Sequence, residues 1–294
     1  MDSKLSFKDV FLCSNYNCRA ILDITDEIFK LYFNSKTFKC PSCQTDLNLW
    51  EVGLKQFELS VFGWHYSLLG CQTNFIEIIL KPNEIYTLDL SKTVGEGKIL
   101  YINYSPSSNG LTPLQMHLNV PNMHFIPKRI HLYPRPLRKN CKETKTQIMY
   151  WFAPKEVYDD LSIMLMLDAF QKVYQEEYRH MAISAQSAIE ILIYRFFEEQ
   201  FKSIKLKDDR IEDFLSNRAT YSPQLFTLLP LLAKKEGFPF LQKEIIESLT
   251  TLNKYRNNMI HQGKTKMQLN DSDFIKMVLS AFFAVKYFKI IHRM

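Results

Sequence analysis

The hydrophobic pattern changes its period once, at Pro154, and that change constrains the fold more than any other feature of the chain. Between residues 50 and 153, short stretches rich in β-branched and aromatic residues recur: Phe57–Val61, Phe75–Leu80, Tyr86–Leu90, Ile99–Tyr104 and Thr146–Phe152. Turn-forming clusters separate them at Lys81-Pro-Asn83, Gly95-Glu-Gly97, Ser105–Gly110 and Tyr133-Pro-Arg-Pro136. Short strands at such spacing predict a β-sandwich or barrel, with no helix of useful length. After Pro154, apolar residues recur every three to four positions to the end of the sequence. This predicts a helical bundle with helices over 155–180, 182–203, 239–260 and 272–291, and shorter pieces near 209–217 and 223–234. Ser222 before Pro223 and the run Asn270–Asp273 supply cap residues. In the last helix Phe274, Val278, Ala281, Phe282, Val285 and Phe288 form one apolar stripe.

Ahead of the strands, residues 1–49 hold four of the six cysteines. Cys13 and Cys18 are spaced C-x4-C, and Cys40 and Cys43 follow as C-x2-C after a gap of 21 residues. Two close pairs, each carried by a tight turn, can offer four thiolates to one tetrahedral zinc ion, as in a zinc ribbon. With sulfur at every position no place remains for water, so such a zinc, one per chain, is structural and not catalytic. A disulfide framework is the rival, disfavoured if the chain is cytosolic, and four unrelated reduced cysteines are the plainest alternative. Cys71 and Cys141 have no partner at ligand spacing and read as packing residues. The expected architecture is therefore multidomain α+β: a zinc-ribbon-like segment over 1–49, an all-β accessory or sensor domain over 50–153, and a helical bundle over 154–294.

The start of the chain carries acids early and lacks a long apolar segment, so no secretory signal is expected, and no apolar run reaches bilayer length. A cytoplasmic location without membrane contact follows as an expectation. The net charge is +6. Between 127 and 145 Lys128, Arg129, Arg135, Arg138, Lys139, Lys142 and Lys145 face a single acid, Glu143, so this strip alone accounts for the excess. With His131 and Tyr133 interleaved, it can contact nucleic-acid phosphates, or it can be a solvated loop that keeps the protein soluble. Phosphate-cradling glycine motifs, H-E-x-x-H and G-x-S-x-G are absent, and the enzyme classes they mark lose support.

One charge breaks a core pattern. The helix over 239–260 carries an apolar seam at Leu241, Ile245, Leu249, Leu252 and Met259, and the step missing from it is Arg256. A guanidinium cannot shed its charge, so at a seam position it must meet a partner or a cavity. His261 follows, then Gln262 and Gly263. On one continuous helix five residues rotate a side chain by about 140°, whereas a stop at Gly263 frees the imidazole to converge with Arg256, within one chain or across a dimer. Glu190 lies in the nearly apolar run Ala185–Tyr194 and needs a cation, for which Arg256 is the evident partner, and Gln186 one turn earlier is placed to join them. The alternative is purely structural: Arg256 paired with a carboxylate, and His261 closing a helix C-terminus.

Arg256-Asn-Asn-Met-Ile-His261 resembles the R-x4-6-H signature of HEPN domains, including the polar residue, here Asn257, that commonly follows the arginine. The resemblance covers about residues 155–294. It implies an all-helical bundle, commonly homodimeric, and a metal-independent endoribonuclease of toxin–antitoxin, abortive-infection or CRISPR-associated systems; other members are non-catalytic. Glu190 is similar to the acidic position of several such families. Histidine can move protons at the 2′-hydroxyl or the leaving 5′-oxygen, and arginine can hold the charge gathering on phosphorus. Arg256 and His261, with Asn257 and Glu190 beside them, are thus the expected catalytic group, RNA the substrate, and 2′,3′-cyclic phosphate and 5′-hydroxyl ends the products. Such an enzyme needs restraint, which the N-terminal half or an unidentified trigger or inhibitor protein can provide. The competing expectation is a non-catalytic nucleic-acid-binding or sensor protein that uses the cysteine segment and the strip from Lys128 to Lys139.

Overall fold

The computed structural model describes residues 11–59, 63–106, 114–118, 126–136, 143–262 and 267–292. They form two compact units, one within 66–160 and the other built from 11–65 together with 161–292. The α+β architecture is as the periodicities predict: small N-terminal hairpins, antiparallel sheet, then helices.

At the N-terminus, β1 (Phe11–Leu12) pairs with β2 (Ile21–Leu22), α1 spans Asp26–Phe33, and β3 (Phe38–Lys39) pairs with β4 (Asp46–Leu47). Next comes α2 (Leu49–Glu58), where a strand starting at Phe57 was expected. Asn48 caps it, accepting hydrogen bonds from the N–H groups of Trp50 and Glu51, and Leu49, Val52, Gly53 and Gln56 bury one helical face. The expected strand window opened at the last turn of this helix and therefore missed its period; residues 60–62 lie outside the described residues. A short α3 (Trp64–Leu68) follows.

The 66–160 unit contains β5 (Gln72–Leu80), β6 (Tyr86–Asp89), α4 (Ser91–Val94), β7 (Lys98–Pro106), β8 (Leu114–Leu118), β9 (Arg129–Pro136), β10 (Thr144–Ala153) and α5 (Lys155–Tyr158). Two antiparallel sheets, ordered β5-β10-β7 and β6-β9-β8, share one core. Ile78, Ile102, Ile148 and Tyr150 reach it from the first sheet, and Leu88, Ile130 and Leu132 from the second. Gly97 is a close approach: a Cβ there would stand 2.5 Å from the carbonyl oxygen of Ala153. Strand β9 overturns two expectations, since Tyr133–Pro136 is strand rather than turn and the basic strip begins as strand rather than loop. The prolines are tolerated because β6 pairs only with Arg129–Leu132, so Pro134 and Pro136 lie beyond that ladder, on a side where no strand needs their missing N–H; the Pro134 carbonyl there accepts from the Asn83 N–H.

The remaining helices are α6 (Leu161–Tyr174), α7 (Tyr178–Ser203), α8 (Asp208–Asp213), α9 (Tyr221–Pro223), α10 (Leu229–Glu236), α11 (Lys243–Gln262) and α12 (Asp271–Ile291). The helix expected over 155–180 is thus three pieces. Its second break is a left-handed stop without glycine: Glu176 takes φ +60°, and the Glu177 N–H closes back on the Lys172 carbonyl. Two π-helical turns, Phe214–Arg218 and Gln224–Leu228, flank α9, whose cap position is Thr220 rather than Ser222. Asn270 caps α12 reciprocally with Asp273, as expected.

Helix α12 is not striped but buried almost all round, including Met277, Leu279, Phe283, Tyr287 and Ile290 as well as the predicted positions. The covering of its second side comes from the N-terminus. Phe29 on α1 meets Phe282 and Phe283 edge-on, Trp50 on α2 meets Phe283, and Gly53 leaves just enough room for Leu279. Lys286 is buried against this side, its ammonium 2.7 Å from Asp26 and over the Phe29 ring. Among the described residues no helix is long and apolar enough to cross a membrane.

Candidate functional site

Each cysteine pair sits in the turn of one N-terminal hairpin. The Cys13 N–H bonds the Ala20 carbonyl and the Cys40 N–H the Thr45 carbonyl, while Arg19 and Gln44, just after each pair, take positive φ. These turns bring all four sulfurs within 4.8 Å of one another. The Cys13–Cys43 and Cys18–Cys40 sulfur separations are both 3.8 Å. Four sulfurs at about 2.3 Å from a tetrahedral zinc stand ~3.8 Å apart, so the cluster fits one zinc ion. The separation is far beyond a disulfide bond of about 2.05 Å, and all four are free thiols, which removes the disulfide alternative. Burial pushes the Cys13 thiol up to about 12, while the hydroxyl and backbone of Thr45 hold Cys43 down to about 6. A cation among the sulfurs favours all four thiolates and offsets that penalty at Cys13. Cys71 is buried, as a packing residue should be.

The second site is a cleft of about 390 Å³ in the helical unit. Helix α7 places Gln186, Glu190 and Tyr194 at successive four-residue steps along one face, and α11 places Asn253, Arg256 and Asn257 within one turn. Arg256 Nη1 donates to Asn257 Oδ1 at 3.0 Å, and Nη2 lies 3.8 Å from Glu190 Oε2, close enough for an ion pair but long for a hydrogen bond. Gln186 donates to Glu190 at 3.1 Å, and Asn257 donates to Asn253 at 3.2 Å. The segment between the π turns closes the cleft with Thr220, Tyr221 and Ser222, and Gln224 braces it by donating to the carbonyls of Leu215 and Ala219.

Arg256 Nε is a buried polar atom with no hydrogen-bond partner among the described residues, whereas the Tyr221 hydroxyl is turned to the Gln186 side chain. Burial, with Glu190 nearby, pushes the Tyr221 phenol well above its usual range, so it remains an O–H donor at neutral pH. The cleft thus holds a half-buried cation with unspent donors, one carboxylate, and a lining of neutral hydroxyl and amide groups.

The structure brings Arg256, Asn257 and Glu190 together. His261 lies on the same continuous helix, which runs to Gln262 rather than stopping near 260, so position 261 stands about 140° around the axis from 256. Its side chain, and the backbone of Gly263, lie outside the described residues. Of the basic strip, Arg129 is engaged with Asp89 at 2.8 Å, Lys145 with Glu77 at 2.6 Å, and Lys128 with the Gly95 carbonyl. Arg135 is placed by the backbone of β9 opposite Gln115, while Arg138, Lys139 and Lys142 lie outside the described residues. Sequence reasoning missed Tyr194, Tyr221, Ser222 and Asn253 as cleft residues. The i, i+4 pair Asn253 and Asn257 around the seam arginine was a legible signal; the wall at 220–222 was not, because the π turns that present it leave no periodic trace.

No protein family, curated protein or solved structure matches this chain.

Proposed function

We propose that this protein is a metal-independent, HEPN-type endoribonuclease in which Arg256 binds and neutralises the scissile phosphate and His261 transfers protons. The observation that supports it above others is the state of Arg256: a seam arginine at a polar cleft, held by Asn257 and Glu190, with its Nε donor unspent. A guanidinium kept for structure alone would be expected to exhaust its donors on carboxylates and carbonyls, because each unpaired buried donor costs about 1–3 kcal/mol. Here the donors remain for phosphate oxygens. Glu190 aligns the guanidinium and keeps it from being an isolated charge before RNA arrives.

Because position 261 faces away from 256 on one continuous helix, the reading requires two chains: a two-fold dimer in which the histidine of one protomer serves the phosphate held by the partner's arginine, or a cleft shared by both pairs. The 2′-hydroxyl then attacks phosphorus, the 5′-oxygen leaves with a proton, and 2′,3′-cyclic phosphate and 5′-hydroxyl ends result. A role in defence, as a toxin or abortive-infection effector restrained by the N-terminal half, fits an enzyme that would otherwise degrade its host's RNA.

The test is incubation of the purified full chain with RNA in EDTA. Wild type is expected to cut, and Arg256→Ala and His261→Ala to lose at least about 100-fold, the scale of one general acid–base or electrostatic contribution. An equimolar mixture of the two variants should regain part of the activity if the site is shared between chains. Equal cutting by wild type and both variants removes this assignment.

A further inference from the structure

Beyond Arg256 and Glu190 the cleft has no charged lining residue among those described. Its walls are apolar at Ile193 and Leu215 and carry neutral donors and acceptors at Tyr194, Tyr221, Ser222 and Asn253. Away from Arg256 a carboxylate or phosphate would be poorly held, and a purely apolar body would strand the hydroxyls and amides unpaired. What fits is a flat, neutral ring with apolar faces and a hydrogen-bonding edge. The volume, about 390 Å³, lies near the small end of ligand sites, which run from about 300 to 1,000 Å³, and suits one such ring system rather than a length of chain.

Tyr221 forms part of one wall. It is nine-tenths buried and lines the cleft with its ring, while its hydroxyl is turned to the Gln186 side chain. The wall that presents it is stiff: Gln224, itself buried, ties Leu215 and Ala219 together, and π-helical turns stand on both sides. Such turns are rare and recur at binding sites, where they push a segment out of regular helical register. The pocket is therefore largely preformed.

We infer that this cleft is a nucleobase pocket, which takes the base of the nucleotide whose phosphate is held at Arg256 and so selects the base beside the cut. The inference rests on the assignment of Arg256 as a phosphate ligand. Phosphate at Arg256 and base in the cleft are within one nucleotide of each other because the same residue lines both.

The experiment titrates the four nucleoside 3′-monophosphates and inorganic phosphate into the full-length protein and its variants by calorimetry. One monophosphate is expected to bind at least about tenfold more tightly than phosphate and than its least favoured counterpart, given about 1–3 kcal/mol for good base-edge recognition. Tyr194→Phe, which keeps the ring, and Ser222→Ala should each weaken that nucleotide about fivefold to tenfold more than they weaken inorganic phosphate, with unaltered circular dichroism. Arg256→Ala should weaken all five probes. Four monophosphates that bind alike, or a preference that survives both Tyr194→Phe and Ser222→Ala, overturns the pocket. Arg256-dependent RNA cleavage with no base preference retains the nuclease and removes the pocket. Base-selective binding without cleavage retains the pocket and removes the nuclease.

Discussion

At the scale of single residues, the two most telling groups are ionisable side chains inside a helical core. Arg256 is tolerated there because Asn257 takes one donor and Glu190 stands 3.8 Å from another, so the charge is balanced without being fully spent. That incomplete satisfaction is what distinguishes it from Lys286, whose ammonium lies 2.7 Å from Asp26 and serves the core. His65 solves the same difficulty by staying neutral. It is buried, stacks on Phe170 with ring centroids 4.1 Å apart, and burial pushes its pKa down to about 3. In an unfolded chain the value is about 6.5, so on acidification the unfolded state takes up the proton first. The contribution is complete above about pH 6.5 and is lost progressively from there towards pH 3. Denaturation midpoints measured across that window should fall with pH, and His65→Phe should flatten the slope; an unchanged slope would count against a neutral buried imidazole.

Among elements, the hairpins of the N-terminus have too few residues to be stable alone, with strands only two residues long. Their turns are held by the cysteine cluster, whose sulfur separations of 3.8 Å match a tetrahedral zinc site. Full-length protein should therefore contain about one zinc per chain by elemental analysis, and Cys40→Ser, which removes a buried ligand, should bring that near zero with a lower melting temperature. Retention of zinc by Cys40→Ser would place the metal elsewhere. The four cysteines were legible as two turn-borne pairs because ligand spacing is local. Helix α2 was not, since its apolar residues also satisfy a strand-like reading and only the Asn48 cap and the partner helix decide. Strand β9 was hidden by its prolines, which are acceptable only because β6 stops short of them.

For the molecule as a whole, residues 11–65 and 161–292 form one compact unit, so the helices do not stand apart from the chain's beginning. Phe29 is fully buried against Phe282 and Phe283, and Trp50 covers Phe283 from α2. Phe29→Ala should cost about 3–5 kcal/mol in chemical denaturation, as expected for emptying an aromatic from a closed core. A fragment of residues 161–294 alone would expose that face of α12 and should be insoluble or lack cooperative unfolding; a well-folded, soluble fragment would refute the shared core. For the same reason, any restraint exerted by the N-terminal half cannot be tested by simply deleting it.

The sequence by itself determined the switch from strand to helix, the two cysteine pairs at metal-ligand spacing, and the anomaly at Arg256, because each depends on spacing within a few turns of chain. Tertiary structure alone decided that α12 is buried almost all round and that the 220–222 wall completes a cleft around Arg256 and Glu190, a pair the sequence had already suggested. Those outcomes join residues tens to hundreds of positions apart, and burial between distant segments leaves no period in the sequence to read.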